Sequence, residues 1–100
     1  MDKIKLIVKR PYEPVGRVET VPFTLEQLQK MVGGWIEAVP VSENVRVICD
    51  EEGRLKGKPY NCTVNGINFV GSIIVCGEGR GDFADVPITL AEWAAMLDEL

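Results

Sequence analysis

A cluster of acidic side chains runs straight into a cluster of basic ones in one short stretch of the chain. Asp50, Glu51 and Glu52 are followed by Arg54, Lys56 and Lys58, then by Tyr60 and Asn61. Two close carboxylates can exchange protons with a substrate or hold a divalent cation. Neighbouring residues of a turn point in different directions, however, and no calcium-loop spacing occurs here. A solvated turn is the ordinary reading of the acids. The basic half has the groups to hold a small anionic or nucleotide-like ligand, through Arg54, Lys56 and an aromatic stack on Tyr60. The plainer alternative is a polar loop folded on itself, with Asn61 bonding nearby backbone. Further on, Gly77-Glu78-Gly79-Arg80-Gly81 has part of the spacing of a phosphate cradle. A working cradle needs a helix N-terminus and a Lys-Ser/Thr pair after the glycines. The residues that follow are Asp82, Phe83 and Ala84, so a turn is expected instead.

Other chemistry is thinly supplied. The chain has no histidine, which removes the commonest general base and metal ligand. Its three cysteines have no Cys-x-x-Cys spacing. Cys49 and Cys76 lie inside apolar runs, which suits buried, reduced thiols rather than zinc ligands or nucleophiles. The expectation is no catalytic residue, no metal, no cofactor and no enzymatic activity. Fifteen acidic against 11 basic residues give a net charge of −4. That is too acidic for a nucleic-acid binder and too balanced for a DNA mimic. No apolar run is long enough to span a membrane and the N-terminus does not read as a signal peptide, so a cytoplasmic protein is expected.

The segments that must position these residues are legible from periodicity. One hundred residues with 46% hydrophobic content fit a single domain over residues 1–100. Residues 3–9 alternate, with Ile4, Leu6 and Val8 on one face and Lys3, Lys5 and Lys9 on the other. Residues 17–21 read as the second strand of a hairpin. Thr24 opens a helix as N-cap, with Gln27 placed for a capping box and Gly33 for a left-handed stop. Strands are expected over 35–39 and 45–50, with Gly53 in a tight turn after them. Asn65-Gly66 is a strong hairpin signal between residues 62–64 and 67–76. The second of these runs is apolar at both parities, as in a central strand or one covered on both faces. Thr89 and Glu92 make a capping box for a second helix running from about residue 90 to the end. Val21-Pro22-Phe23-Thr24-Leu25 and Val86-Pro87-Ile88-Thr89-Leu90 repeat the same helix-start pattern.

Three blocks also carry a resemblance: Gly33-Gly34-Trp35-Ile36-Glu37, Ile48-Cys49-Asp50-Glu51-Glu52-Gly53-Arg54-Leu55, and Gly57-Lys58-Pro59-Tyr60-Asn61, with Gly81-Asp82-Phe83 later. Together, over residues 24–84, they resemble domain of unknown function family 3846. These are small proteins encoded mostly by phages, plasmids and other mobile elements of bacteria. The resemblance implies a setting and no reaction.

The expected fold is α+β: a mostly antiparallel sheet of four to six strands with two helices packed on one face. There, Ile4, Leu6 and Val8 would meet Leu25, Leu28, Trp93 and Leu97. The expected function is that of a non-enzymatic binding or inhibitor module acting through protein contact. The alternative is a small-ligand, nucleotide-like binding or sequestering protein. The partner is an unknown host protein or a small polar ligand, with no nucleic acid and no membrane, and a homodimer left open. The candidate site is Asp50, Glu52, Arg54, Lys56, Tyr60, Asn61, Arg80 and Asp82. For all of these to form one cleft, residues 50–61 and 77–83 must lie side by side at one edge of the sheet.

Overall fold

The computed structural model describes residues 2–98. Eight strands and two helices follow in the order β1 (Lys3–Lys9), β2 (Arg17–Pro22), α1 (Leu25–Val32), β3 (Ile36–Ser42), β4 (Val45–Asp50), β5 (Tyr60–Val64), β6 (Ile67–Val70), β7 (Ile73–Gly79), β8 (Asp82–Ala84) and α2 (Leu90–Met96). The main sheet has the order β2-β1-β7-β4-β3, with β8 hairpinned onto β7. A separate hairpin pairs β5 with β6. All these pairings are antiparallel, so the α+β expectation holds.

The helices do not share a face. Leu28 and Val32 of α1 pack with Ile4, Leu6, Val8, Ile48, Ile74 and Cys76. Trp93 of α2 packs on the other side, with Ile7, Val47, Val75 and the β5–β6 residues Cys62, Val64 and Phe69. The expected meeting of Ile4, Leu6 and Val8 with Trp93 is therefore replaced by a sheet covered on both faces, and Leu25 lies exposed. The cause is the composition of the central strands. Val45, Val47 and Cys49 alternate with Ile48 in β4, and Ile73 and Val75 with Ile74 and Cys76 in β7, so both faces need cover.

Local signals account for the helix starts. Thr24 Oγ1 accepts from the Gln27 backbone N–H, and Gly33 closes α1 at φ 81°. Thr24 N–H goes to the Pro22 carbonyl rather than to Gln27. At Thr89 the full reciprocal capping box with Glu92 forms. The two similar helix-start segments flank β1 on opposite edges. Val21 pairs with Ile4, while Val86 N–H bonds the Lys5 carbonyl and Asp85 Oδ1 accepts from Lys5 N–H. From opposite edges the same pattern delivers helices to opposite faces.

Of the boundaries that differ from expectation, two shape the fold. The apolar run over 67–76 is two strands, because Gly71 at φ 71° turns the chain out of the small hairpin into the centre of the main sheet. Helix α2 stops at Met96, and Leu97 instead bridges Val64 of β5. Residues 99–100, included in the expected helix, lie outside the described residues.

Candidate functional site

Strand register settles where each candidate residue lies. Lys9 pairs with Ile73, Ile48 with Ile74 and Ile36 with Asp50. The ends of β1 and β4, the starts of β3 and β7, Tyr60 and the loop 51–58 therefore share one end of the sheet. The β7–β8 turn is at the opposite end. Eight residues separate Arg80 from Ser72, which stands level with Asp50 by the register, or roughly 25 Å of strand. The single cleft expected from Arg54 and Lys56 against Arg80 and Asp82 does not form. The physical reason is that β4 and β7 run antiparallel, so the loops that follow them leave in opposite directions. Arg80 and Gly81 form the tip of a tight hairpin at φ 54° and 78°. Asp82 accepts from the Phe83 N–H and borders a separate cleft of about 440 Å³ with Phe23, Leu25, Leu28, Ile36 and Phe83.

The near end contains two buried ionic arrangements. In the first, Asp50 sits under the loop with its carboxylate almost closed to solvent. Its Oδ2 receives Lys56 Nζ at 2.8 Å and Lys58 Nζ at 2.6 Å, and its Oδ1 receives the Glu52 N–H at 2.9 Å. The same lysines reach the end of α1: Lys58 Nζ donates to the Val32 carbonyl at 2.7 Å and Lys56 Nζ to the Gly33 carbonyl at 3.2 Å. Burial by itself would raise the Asp50 carboxyl, but the bonds from Lys56, Lys58 and the Glu52 N–H overcome it and hold it well below the usual carboxylate range. A Cβ on Gly34 would stand 2.6 Å from Asp50 Oδ1, and one on Gly33 2.9 Å from Lys58 Nζ. The Gly-Gly motif is thus a clearance for this knot, which ties the C-terminus of α1 to the loop.

The remaining loop candidates divide. Glu52 contributes its backbone N–H to the knot. Arg54 donates to the Asn68 carbonyl at 2.7 Å and does not face Asp50. Tyr60 is half-exposed, with its hydroxyl 2.5 Å from Thr63 Oγ1. Asn61 is buried and belongs to the second arrangement, built on Lys9. The alternation in β1 puts Lys9 on the polar face with Lys3 and Lys5, yet it is only 3% exposed. Its Nζ donates to Asn61 Oδ1 at 2.7 Å, and Asn61 Nδ2 donates to the Lys9 and Gly71 carbonyls at 2.8 Å each. Desolvation lowers the Lys9 ammonium from its ordinary value, with Cys62 and Glu13 acting weakly against it. The missed signal is Ile7-Val8 just before Lys9. With Leu6 they make three successive apolar residues, which end the alternation and mark a strand end covered on both faces.

The loop between β1 and β2 stands beside Lys9 and carries Tyr12, 88% exposed. This loop is fixed from beneath. Trp93 Nε1 donates to the Val15 carbonyl at 3.0 Å, and Glu13 receives the Arg10 N–H and Arg17 Nη1. A cleft of about 430 Å³ beside it is bordered by Arg10, Tyr12, Lys30, Met31 and Lys58. Across the knot, Leu55 and Trp35 are 87% and 65% exposed.

The thiols are poorly placed for chemistry. Burial pushes Cys49 up to about 11 and Cys76 to about 12, and raises Cys62 against the opposing influence of Lys9. Among the described residues, no group of three Cys, Asp or Glu side chains has the geometry to hold a metal ion, and no helix is long and apolar enough to cross a membrane.

The chain belongs to a family described as a domain of unknown function (DUF3846), whose model matches residues 4–98. The match extends on both sides of the motif blocks and takes in β1, the β1–β2 loop and α2. No curated protein and no solved structure is detectably similar to the chain.

Proposed function

We propose that this protein is a non-enzymatic binding module of a bacterial mobile element, working in the cytoplasm by contact with a host protein. One observation carries the reading: Tyr12, Trp35, Leu55 and Tyr60 all project at the same end of the sheet. Exposed aromatic and large apolar side chains gathered on supported loops are what contact surfaces use as anchors. The opposite end carries turns of Glu43-Asn44 and Arg80-Gly81, and among the described residues Leu25 at the start of α1 is the large apolar side chain exposed there, with no exposed aromatic beside it. The chemistry of the titratable groups points the same way. Asp50 is committed to two lysines, and burial suppresses the Cys49 and Cys76 thiolates. Arg10 and Lys30 beside Tyr12 suit a partner whose contacting surface is acidic.

The test is affinity capture from host lysate with wild-type protein and with a Tyr12→Ser/Trp35→Ser/Leu55→Ser variant. These side chains are exposed, so the variant keeps its melting temperature. Host proteins captured by wild type and lost by the variant are expected. Equal capture by both proteins overturns the assignment of this end. A small polar or nucleotide-like ligand on the 54–61 loop is the second reading. It is the weaker one, because Lys56 and Lys58 are engaged with Asp50 and Arg54 with Asn68.

A further inference from the structure

Beside the β1–β2 loop, a cleft of about 390 Å³ is bordered by Lys9, Tyr12, Glu13, Tyr60, Cys62 and Leu97, with Asp98 at its rim. We propose that this cleft binds a small monocarboxylate with a flat apolar body, its carboxylate meeting the Lys9 ammonium and its body lying against Tyr12 and Tyr60. Tyr12 and Tyr60 are shared with the protein-contact surface, but the ligand is selected by Lys9, and a titration with small ligands alone succeeds or fails independently of any host partner.

The argument starts from an incomplete set of partners. A lysine ammonium has three protons to donate. The acceptors that Lys9 finds both belong to Asn61: Oδ1 at 2.7 Å and the backbone carbonyl at 3.4 Å. Among the described residues no carboxylate forms an ion pair with it. Burying an ammonium without a counter-charge is unfavourable, and a methionine would fill the same space without that penalty. Asn61 is itself held by the Lys9 and Gly71 carbonyls, so the position of Nζ at the cleft is fixed before any ligand arrives.

The acids nearby define the ligand's charge. Glu13 is engaged with Arg17 Nη1 at 2.7 Å and with the Arg10 N–H, and Asp98 Oδ2 with the Gly66 N–H. Neither forms an ion pair with Lys9, yet they stand where a second negative charge on a ligand would be repelled. That selects a monoanion over a nucleoside polyphosphate or a dicarboxylate. The remaining border is apolar or aromatic, with Pro11, Pro14 and Leu97 beside the tyrosines. A flat hydrocarbon body fits such a wall.

The experiment titrates nitrogen-labelled full-length protein with benzoate, its neutral isostere benzamide, and inorganic phosphate, following the Asn61 side-chain amide and the Lys9 side-chain resonances. Benzoate should give saturable shifts at both, binding at least about tenfold tighter than benzamide. Phosphate should give none. Lys9→Met should remove the preference for benzoate over benzamide. The proposal is overturned if benzoate produces no saturable shift, if the acid and the amide bind equally, or if the preference survives in Lys9→Met. If Lys9→Met fails to fold, the decision passes to the Lys9 resonances of wild-type protein. Movement with benzoate but not with benzamide supports the site, and the reverse rejects it.

Discussion

At Asp50 one buried carboxylate meets two ammonium groups, while at Lys9 one buried ammonium meets no carboxylate among the described residues. Both arrangements stand at the same end of the sheet and both fasten distant segments. Asp50 and its lysines join β4 and the loop 51–58 to the end of α1, and Lys9 with Asn61 joins β1 to β5 and Gly71. The difference lies in what is left over. The Asp50 carboxylate is fully satisfied inside the protein, while its two lysines carry their excess positive charge partly in solvent, so changes at Asp50 should register as lost stability. The Lys9 arrangement fixes a charged group with no ion-pair partner among the described residues. Buried ionic groups thus play two different parts a short distance apart, and a count of lysines would not separate them.

The comparison breaks most visibly at Asp50. Asp50→Asn leaves two ammonium groups against a neutral amide and should cost about 3 kcal/mol in urea unfolding. The pH dependence follows in sign. The folded carboxyl is held below its ordinary value, so its contribution is fully present above about pH 4 and is lost as pH falls below that. An acid titration of stability should therefore be shallower in Asp50→Asn than in wild type. Asn61→Ala comes next, at about 2 kcal/mol. It removes the nearer acceptor of Lys9 Nζ and the side-chain donor to the Lys9 and Gly71 carbonyls. Gly34→Ala should cost about 1.5 kcal/mol, since its Cβ would push on the Asp50 carboxylate and Lys56 Nζ. Lys9→Met sharpens the contrast by its smallness. Removing an uncompensated charge should leave the unfolding midpoint within about 1 kcal/mol of wild type, or raise it. A loss at Lys9 as large as that at Asp50 would erase the distinction.

The parts of the fold legible in the sequence are those decided within a few residues. The Thr89–Glu92 box, the Thr24 cap, the Gly33 stop and the Asn65-Gly66 turn, with φ of 50° and 77°, all form as read. Their geometry depends on neighbours along the chain, so a sequence window contains the cause. What escaped was decided by tertiary structure. Gly71 lies within an apolar run, and only the docking of β7 between β1 and β4 shows that the chain must turn there. The two-sided burial of β7 is readable in its residues, but one helix on each face depends on the opposite edges of β1 from which the helices start. Lys56 reads as a loop cation free to bind. Its engagement depends on Asp50 being buried and on the end of α1 standing over the loop, contacts that spacing does not encode. Lys9 carries the same lesson in reverse, since a lysine ending an alternating strand reads as solvated until its neighbours cover it.

The central place of β7 has a consequence for how the molecule comes into being. Lys9 pairs with Ile73, so β1 must await a strand made near the far end of the chain. The hairpins β1–β2 and β3–β4 are local and form quickly, but neither can join the other until β7 slots between them. Sheets dominated by such distant pairings refold on the order of milliseconds to seconds rather than microseconds. During synthesis Ile4, Leu6 and Ile7 stay uncovered over that interval, offering an open strand edge to other molecules. A chain released before residue 73 holds the hairpins β1–β2, β3–β4 and β5–β6 but lacks the strand that joins the first two edge to edge, and those open edges are left to pair with another chain.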